Sequence, residues 1–338
     1  MSTDKPVVEE TSRVPVAVVV TLLTAMLTVV LIAFAWPAAR SEPRDLPIAV
    51  AGPAQAAAQV KGGLDQAMPG GFEITSVADR AAAERAIKDR DVYGAIVLDP
   101  QAPEVLTASA GGPAVAQILT QLSTRLGAEN PGVPVKVTDV VPLPKDDPRG
   151  AGLAAGALPL VLGGIIAAAV LSGRIKGNGR RVAGAIAFAV TGSLALGAVL
   201  QFWLGSFEGN YFANASVIGL SIGAVSLTLL GLEGLFGFVG LGAGGAVMML
   251  LGNPLSGLAS APEMLPTGWG SLGQFLPPGA AGTALRSVSF FDGAGSGRSF
   301  LVLGCWFVLG LLLCGFAAIR GRGRSVVQGR QEASPVTV

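Results

Sequence analysis

Long apolar runs separated by shorter polar stretches dominate this chain. The first run, VPVAVVVTLLTAMLTVVLIAFAW, covers residues 14–36 and contains no charged residue. Two further runs, at 151–172 and 182–204, have similar lengths. Because a membrane core about 30 Å thick needs about 20 apolar residues per helix, each run predicts a membrane-spanning helix. The first run lacks a convincing small-residue cleavage site, which favours a retained helix over a signal peptide.

The apolar pattern continues over 216–251, which is too long for one membrane crossing. Glu233 is the only charged residue in this stretch, so we predict two short helices, 216–232 and 234–251, that turn near it. A last run at 299–319 predicts one more helix. Together the runs predict six membrane-spanning helices, four of them within 151–252.

Residues 37–150 follow a different pattern, in which short apolar stretches alternate with mixed ones. Three stretches have the composition of strands: LPIAVAG at 46–52, FEITSV at 72–77 and VYGAIVL at 92–98. The other expected elements are helices over 53–67, 79–90 and 113–128 and a strand over 133–141. Strands that alternate with helices predict βαβαβ-type units on a mixed or mainly parallel sheet. We therefore expect an inserted α/β domain over 37–150.

The stretch 253–298 is less apolar than the runs around it and is rich in glycine and proline. Its prolines prevent a continuous spanning helix. Apolar side chains such as Trp269 and Phe275 make it amphipathic, so we expect it to lie in the outer membrane interface. A short helix over 280–290 would present Arg286 to lipid headgroups or to a transport pathway, or Arg286 would be an interfacial cation that extends toward water.

Charged residues are only 13% of the chain, and more than half of them lie in 37–150. The loop at 173–181 carries Arg174, Lys176, Arg180 and Arg181 without any acid, and the tail 320–338 is also basic. Basic loops stay in the cytoplasm. Six crossings then place the N-terminus, 1–13, and the tail inside, and 37–150 outside.

Residue types exclude several classes of chemistry. The chain has no histidine, so it cannot build a Ser-His-Asp triad, an HExxH zinc site or an imidazole proton relay. It contains no GxxxxGK[ST] sequence and so no P-loop for ATP. We expect no enzyme, no catalytic, metal or cofactor site in this chain, and, with a net charge of +1, no nucleic-acid partner.

A few polar residues within or beside the apolar runs are candidates for a pathway or a helix interface. Thr21, Thr24 and Thr28 share one face of the first helix, where their hydroxyls could instead bond to carbonyls of their own helix. Gln201 and Glu233 are the strongly polar residues of the later runs. Polar and ionisable residues within membranes are functional candidates, so both join Arg286 on this list.

The order of one helix, an α/β domain and five further helices resembles the permease subunits of ABC-2 type exporters, and most closely their YhgE/Pip (phage infection protein) branch in actinobacteria. Two stretches carry the resemblance: LPIAVAG with FEITSVADRAAAERAIKDRDVYGAIVLDP, and NPLSGLASAPEMLPTGWGSLGQFLPPGAAGTALRS. The resemblance implies a bacterial plasma-membrane protein and a homo- or heterodimer of permeases. It also implies a separate ABC ATPase, which would contact the loop with Arg174, Lys176, Arg180 and Arg181.

Two functions follow from the sequence. The first is an ABC-2 type permease that exports a hydrophobic or amphipathic molecule, such as a lipid, a drug or an envelope component, with energy from the ATPase partner. The alternative is a non-transporting envelope scaffold or receptor-like membrane protein whose outer domain binds a partner. The short cytoplasmic loop favours the alternative slightly, since such permeases often contact their ATPase through this loop.

Overall fold

A computed structural model describes residues 16–99, 102–129 and 134–332. The predicted N-terminal segment 1–13 and the end of the predicted tail, 333–338, lie outside these residues. The helix predicted over 14–36 is α1, Val16–Ala39, as far as it is described.

Five strands and three helices form the α/β region, residues 46–139. The strands are β1 (Leu46–Ala51), β2 (Phe72–Val77), β3 (Gly94–Val97), β4 (Glu104–Thr107) and β5 (Lys136–Asp139). The helices are α2 (Ala54–Ala67), α3 (Arg80–Lys88) and α4 (Pro113–Glu129). The strand order is β2-β1-β3-β4-β5. Every pair is parallel except β3–β4, so the sheet is mixed.

The local signals in this region act as the sequence predicts. Strand β2 has the predicted bounds, and α3 begins after Asp79, whose side chain accepts a hydrogen bond of 2.7 Å from the Ala82 amide. Strand β4 was not predicted, because its four residues, EVLT, have no alternating pattern long enough to mark a strand. Its antiparallel pairing with β3 is what makes the sheet mixed.

The two hydrophobic cores of the α/β region include residues from beyond 150. One core joins Ile48, Leu64 and Leu119 with Ala261 and Met264. The other packs Ile87, Leu106 and their neighbours against Phe291. The α/β region therefore shares its interior with the 253–298 stretch.

Four longer helices and one shorter helix form the bundle beneath this region. They are α5 (Ala151–Arg174), α6 (Asn178–Ala198), α7 (Tyr211–Phe236), α8 (Phe238–Ala246) and α11 (Gly297–Glu332). Helices α6 and α8 continue as π-helical turns, Val199–Trp203 and Val247–Gly252. Helix α7 is the centre, since α5, α6, α8 and α11 all pack on it.

Within the described residues, five helices are long and apolar enough to cross a membrane: α1, α5, α6 with its π-helical turn, α7 and α11. One of the six predicted crossings, the helix over 234–251, is not confirmed, because the corresponding helix covers only Phe238–Gly252. At 1.5 Å per residue this helix is about 22 Å long, less than the roughly 30 Å membrane core. The turn before it lies at Gly237 rather than at Glu233, with a φ of 68° that favours glycine.

The 253–298 stretch, which the sequence predicts to be an amphipathic layer at a surface, has both exposed and buried parts. Two 3₁₀ turns, Pro254–Ser256 and Pro262–Met264, lead into α9 (Trp269–Gln274) and α10 (Pro277–Phe290). Most of α10 is buried, and it packs against α5, α7 and α11. Two of the prolines of this stretch, Pro277 and Pro278, occupy the first turn of α10, where a missing amide hydrogen costs nothing. Helix α10 is thus a part of the protein interior, whereas Leu272 and Phe275 of the same stretch are exposed.

We define two ends of the bundle from these contacts. The domain end carries the α/β region and the start of α11. The basic end carries the α5–α6 loop and the C-terminus of α7. Helix α1 has exposed apolar side chains along its length and touches mainly the 247–256 stretch. Its C-terminal Trp36 packs edge-on against Trp269, with ring centroids 5.3 Å apart, which ties α1 to the domain end.

The crossing of α7 and α11 gives a stability prediction. A Cβ atom added at Gly310 would lie 2.6 Å from the Thr228 backbone nitrogen, whereas one added at Gly315 would meet nothing within 4 Å. We expect Gly310→Ala to lower the stability of the detergent-solubilised protein by about 1–3 kcal/mol, measured by thermal unfolding. Gly315→Ala, on the same helix, is the control and should leave stability unchanged or slightly higher. Equal behaviour of the two variants would contradict the close crossing.

The ion pair at the start of β4 gives a prediction about acid stability. Arg80 Nε donates to Glu104 Oε2 at 2.7 Å, and this bond, helped by Thr138, lowers the pKa of Glu104. The stabilisation is present above the unfolded-state pKa of about 4.3 and is lost as pH falls through the lower folded-state pKa. Glu104→Gln should cost about 1 kcal/mol at pH 7, since Arg80 is partly exposed. That cost should shrink below about pH 4.

Unfolding scans at pH 7, 5, 4 and 3 test this prediction. Glu73→Gln, at an exposed position of β2, is the matched control and should shift stability little at every pH. A Glu104→Gln penalty that stays constant from pH 7 to pH 3 would contradict the assignment.

Candidate functional site

A cleft of about 620 Å³ opens where the α/β region meets the 262–274 stretch, α10 and the start of α11. We call it the arginine cleft, because three of the charged side chains that line it are Arg44, Arg90 and Arg298. Asp45 and Glu263 supply its acids, and Tyr93 forms part of its wall. The cleft lies at the domain end, and its wall is built from parts of the chain that are far apart in sequence.

Arg90 joins the α/β region to the bundle. Its Nη1 donates to the Thr283 carbonyl oxygen at 3.1 Å and to the Ser287 hydroxyl, both on α10. Its guanidinium lies over the Phe291 ring, 5.3 Å from the centroid. Burial lowers the pKa of Arg90, but the group has no acidic partner among the salt bridges of the described residues.

The backbone at Arg90 is also unusual. Its φ is 64°, in the left-handed region just past the end of α3, a position where glycine is the common residue. An arginine there costs on the order of 1 kcal/mol. An arginine at this position has a side chain long enough to reach α10. We call this contact between the α/β region and the bundle the joint.

Tyr93 and Glu263 form a second link across the joint. The Tyr93 hydroxyl donates to Glu263 Oε2 at 2.8 Å. Burial, with the nearby Glu263 carboxylate, raises the pKa of Tyr93, so the phenol remains a protonated donor. The backbone amides of Glu42 and Arg44 donate to the carbonyl oxygens of Met264 and Glu263, each at 3.0 Å. One acid of the cleft is therefore already engaged.

Arg286 is not the exposed interfacial cation that the sequence admits. It is 3% exposed, and its Nη2 donates to the Leu258 carbonyl oxygen at 3.0 Å. Its Nε is buried without a hydrogen-bond partner. Burial and the like charge of Arg90 lower the pKa of Arg286 to about 10, so it still carries a charge at neutral pH. Tyr93 and Glu263 lie within electrostatic range of it.

The start of α11 completes the cleft. Arg298 is exposed and lies over the Phe275 ring, 4.9 Å from its centroid. Trp306 Nε1 donates to the Phe275 carbonyl oxygen at 2.8 Å, which fixes the end of α9 against α11. Arg298 enters no salt bridge of the described residues. It is a free cation at the mouth of the cleft.

Cationic side chains outnumber acidic ones around this cleft. Arg44 is paired with Glu42 and with backbone carbonyls, whereas Arg90, Arg286 and Arg298 have no ion-pair partner among the described residues. The arrangement is suited to holding an anion by charge-assisted hydrogen bonds. In the part of the chain that the structure describes, no three Asp, Glu, Cys or His residues are grouped so that they could hold a metal ion.

Thr21, Thr24 and Thr28 of α1 are not among the residues that line this cleft. Thr21 and Thr28 donate to the carbonyl oxygens of Ala17 and Thr24 at 2.8 Å, within their own helix. All three threonines are exposed on the surface of α1. For Thr21 and Thr28 the hydroxyl therefore bonds to a carbonyl of its own helix.

Gln201 belongs to a polar network at the domain end. Asn214, fully buried near the start of α7, donates to Gln201 Oε1 at 3.1 Å and to the Glu208 carbonyl oxygen at 2.8 Å. Ser289 of α10 donates to Asn214 Oδ1 at 2.9 Å. The network joins α6, α7 and α10, and Asn214 was not among the sequence candidates.

Glu233 has a partner at the basic end. Arg181 Nη1 donates to Glu233 Oε2 at 2.9 Å. The other nitrogens of Arg181 bond to the Ile175 and Ser172 carbonyl oxygens at the end of α5. This one arginine thus joins α5, α6 and α7 and is held in the bundle.

The other three basic residues of the predicted coupling loop behave differently. Arg174, Lys176 and Arg180 are exposed around the α5–α6 connection. Asn178, between them, donates to the Cys314 carbonyl oxygen of α11, which holds the loop close to the bundle. An exposed cationic surface therefore remains at the basic end without Arg181.

Sequence reasoning missed most of the arginine cleft. One signal was available, because Glu263 and Arg286 are the only charged residues over 253–291. Isolated charges in an apolar stretch indicate a buried polar arrangement. No such signal marked Arg90 or Arg298, since each stands in an ordinary mixed segment and only the tertiary fold brings them together.

Comparisons of the chain with protein-family models, curated proteins and solved structures find no match. Its function is therefore inferred from its own residues and geometry.

The ion pair at the basic end can be tested directly. Glu233→Gln leaves the partly buried Arg181 without its counter-charge, so we expect a loss of about 1–2 kcal/mol in thermal unfolding. The double variant with Arg181→Gln should lose less than the sum of the two single variants. Arg180→Gln is the control, because Arg180 is the exposed residue just before Arg181, and it should have almost no effect. Additive losses would show that the pair is not coupled.

Proposed function

We propose that the chain is the permease subunit of an ABC-2 type exporter, which moves a hydrophobic or amphipathic molecule outward with energy from a separate ATPase. The observation that carries the proposal is that the α/β region and the helical bundle form one folded unit. Met264 and Phe291 belong to the cores of the α/β region. A domain that shares its interior with the bundle can take part in movements of the helices.

The contacts of α10 supply a route for such movements. Helix α10 packs against α5, α7 and α11, and it accepts the hydrogen bonds of Arg90 through Thr283 and Ser287. A displacement of the bundle helices would therefore move α10, which lines part of the arginine cleft, together with the α/β region. In a transporter this joint would couple helix rearrangement to opening of the exit.

The proposal assigns orientation and partners. The domain end faces outward from a bacterial plasma membrane, and the basic end faces the cytoplasm, as basic loops do. Arg174, Lys176 and Arg180 are proposed to contact the ATPase, because they are the exposed cations of the loop. Arg181 is left out of this contact, since its guanidinium is held by Glu233 and α5. The functional unit is proposed to be a homo- or heterodimer of permeases.

One observation favours the alternative, a non-transporting scaffold. The connection between α5 and α6 is short, and Arg181 and Asn178 hold it against the bundle. No helix of the described residues projects from this loop to engage an ATPase. In the scaffold hypothesis the outward-facing α/β region binds an envelope partner, and the bundle only anchors it.

Substitution of the exposed cations of the α5–α6 loop distinguishes the two proposed functions. The triple variant Arg174→Gln, Lys176→Gln and Arg180→Gln should lower the ATP hydrolysis that copurifies with the full-length chain from native membranes at least tenfold. The reason is that three charges are removed from the proposed contact. ATP-driven efflux from reconstituted vesicles should fall in parallel. The control, Lys145→Gln with Arg149→Gln, removes exposed charges at the domain end and should leave both activities unchanged.

The scaffold hypothesis gives opposite results. It requires that no ATPase copurifies with the chain, and that deletion of the chain leaves export of every tested lipid and drug unchanged. A pull-down on the α/β side should then use the full chain rather than residues 37–150, because Met264 and Phe291 complete the cores of that region.

A further inference from the structure

The arginine cleft contains more positive charge than the protein itself neutralises. Six salt bridges are present in the described residues, and none includes Arg90, Arg286 or Arg298. Glu263 accepts the Tyr93 hydroxyl, and Asp45 is exposed at the cleft surface. Arg90 and Arg298 thus line the cleft without a salt bridge, Arg286 lies within electrostatic range of Arg90 and Glu263, and one of the two lining carboxylates is already engaged.

Arg286 is the most costly of these charges. It is 3% exposed, yet one nitrogen, Nε, has no hydrogen-bond partner. A buried charge without a paired counter-charge is expensive, and buried polar atoms are almost always satisfied. Arg90 lies close enough to oppose its charge. Of these two like charges, Arg90 lines the cleft, so an anion in the cleft would offset part of their mutual repulsion.

The start of α11 adds to this field. Arg298 and Ser299, its second and third residues, line the cleft. The amide groups in the first turn of a helix have no partner within the helix and favour an anion. The hydroxyl of Ser296, the residue before the helix, donates to the Gly293 carbonyl oxygen. Arg298 and Ser299 therefore lie at the positive end of the α11 dipole.

The surroundings of the cleft indicate what carries the anion. Trp36 and Trp269 pack on each other beside it, and indole rings prefer the membrane–water interface. On α9, Ser271 lines the cleft, while Leu272 and Phe275 are 47% and 54% exposed. An anionic group in the cleft would thus lie next to an apolar surface. That combination matches a molecule with a charged head and an apolar tail.

We propose that the arginine cleft binds the phosphate or carboxylate group of an anionic amphiphile, held by Arg90, Arg298 and the field of Arg286. The proposal rests on the proposed export function only in naming the class of molecule that is moved. Binding itself requires neither an ATPase nor transport. The anion has two sources, a lipid headgroup or a free phosphate, and the test separates them.

The test uses the full-length protein in nanodiscs and counts retained lipid by native mass spectrometry. Phosphatidylglycerol should be retained over phosphatidylcholine. Arg298→Gln and Ser271→Glu should each reduce this retention about tenfold, because one removes a cation and the other adds an anion to the cleft. The matched controls, Arg320→Gln on exposed α11 surface at the other end and Ser271→Ala, should bind as the unaltered protein does.

Inorganic phosphate, added as a competitor, distinguishes the two sources. If phosphate displaces the lipid, the site recognises the anionic group alone. If the lipid is retained in the presence of phosphate, the site recognises the headgroup together with its tail. Equal retention of both lipids, or phosphatidylglycerol binding that neither Arg298→Gln nor Ser271→Glu changes, overturns the proposal. Both variants alter exposed residues, and thermal unfolding confirms that they fold.

The outcome is separable from that of the proposed function. Selective binding without ATP-driven efflux would leave the anion site standing and remove the exporter. Efflux without selective binding would keep the exporter and remove the anionic substrate class.

Discussion

The close packing around α7 is the constraint on which the rest of the bundle depends. Lipid tails are as apolar as leucine, so helices in a membrane gain little from hydrophobic burial against one another and associate by close contact and hydrogen bonds. The crossing of α7 and α11 meets this demand with small residues, because Gly231 of α7 and Gly310 of α11 leave no space for a Cβ atom. With α7 in place, α10 can lie among the bundle helices, and the α/β region can rest on α10.

The joint between the α/β region and the bundle combines apolar and polar contacts. Met264 and Phe291 extend its cores, while Arg90 and Tyr93 reach across with hydrogen bonds. Apolar contact holds the parts together without direction, and the hydrogen bonds set their orientation. The left-handed backbone at Arg90 is a local cost that the cross-joint bonds offset.

Charge is used differently at the two ends. At the basic end, Glu233 and Arg181 neutralise each other and close the contact of α5, α6 and α7, while three exposed cations face away. At the domain end, Arg90, Arg286 and Arg298 remain without ion-pair partners in the described residues. A paired charge serves structure, and an unpaired one beside a cavity is available to a ligand.

Local pattern alone predicted most of the elements of this protein, although not β4. Apolar length marked the helices, and the alternation over 46–98 marked β1, β2 and β3, because both signals depend only on neighbouring residues. The pattern could not predict how deeply a segment is buried within the protein. Composition placed 253–298 at a surface, yet α10 is buried, since only its packing partners decide which face meets water. Glu233 and Arg286 stood out in the sequence as charges among apolar residues, but only the tertiary structure gave one a partner and left the other without one. Arg90 and Arg298 lie over two hundred positions apart in sequence, and the fold that brings them to one cleft is determined by contacts that no local pattern encodes.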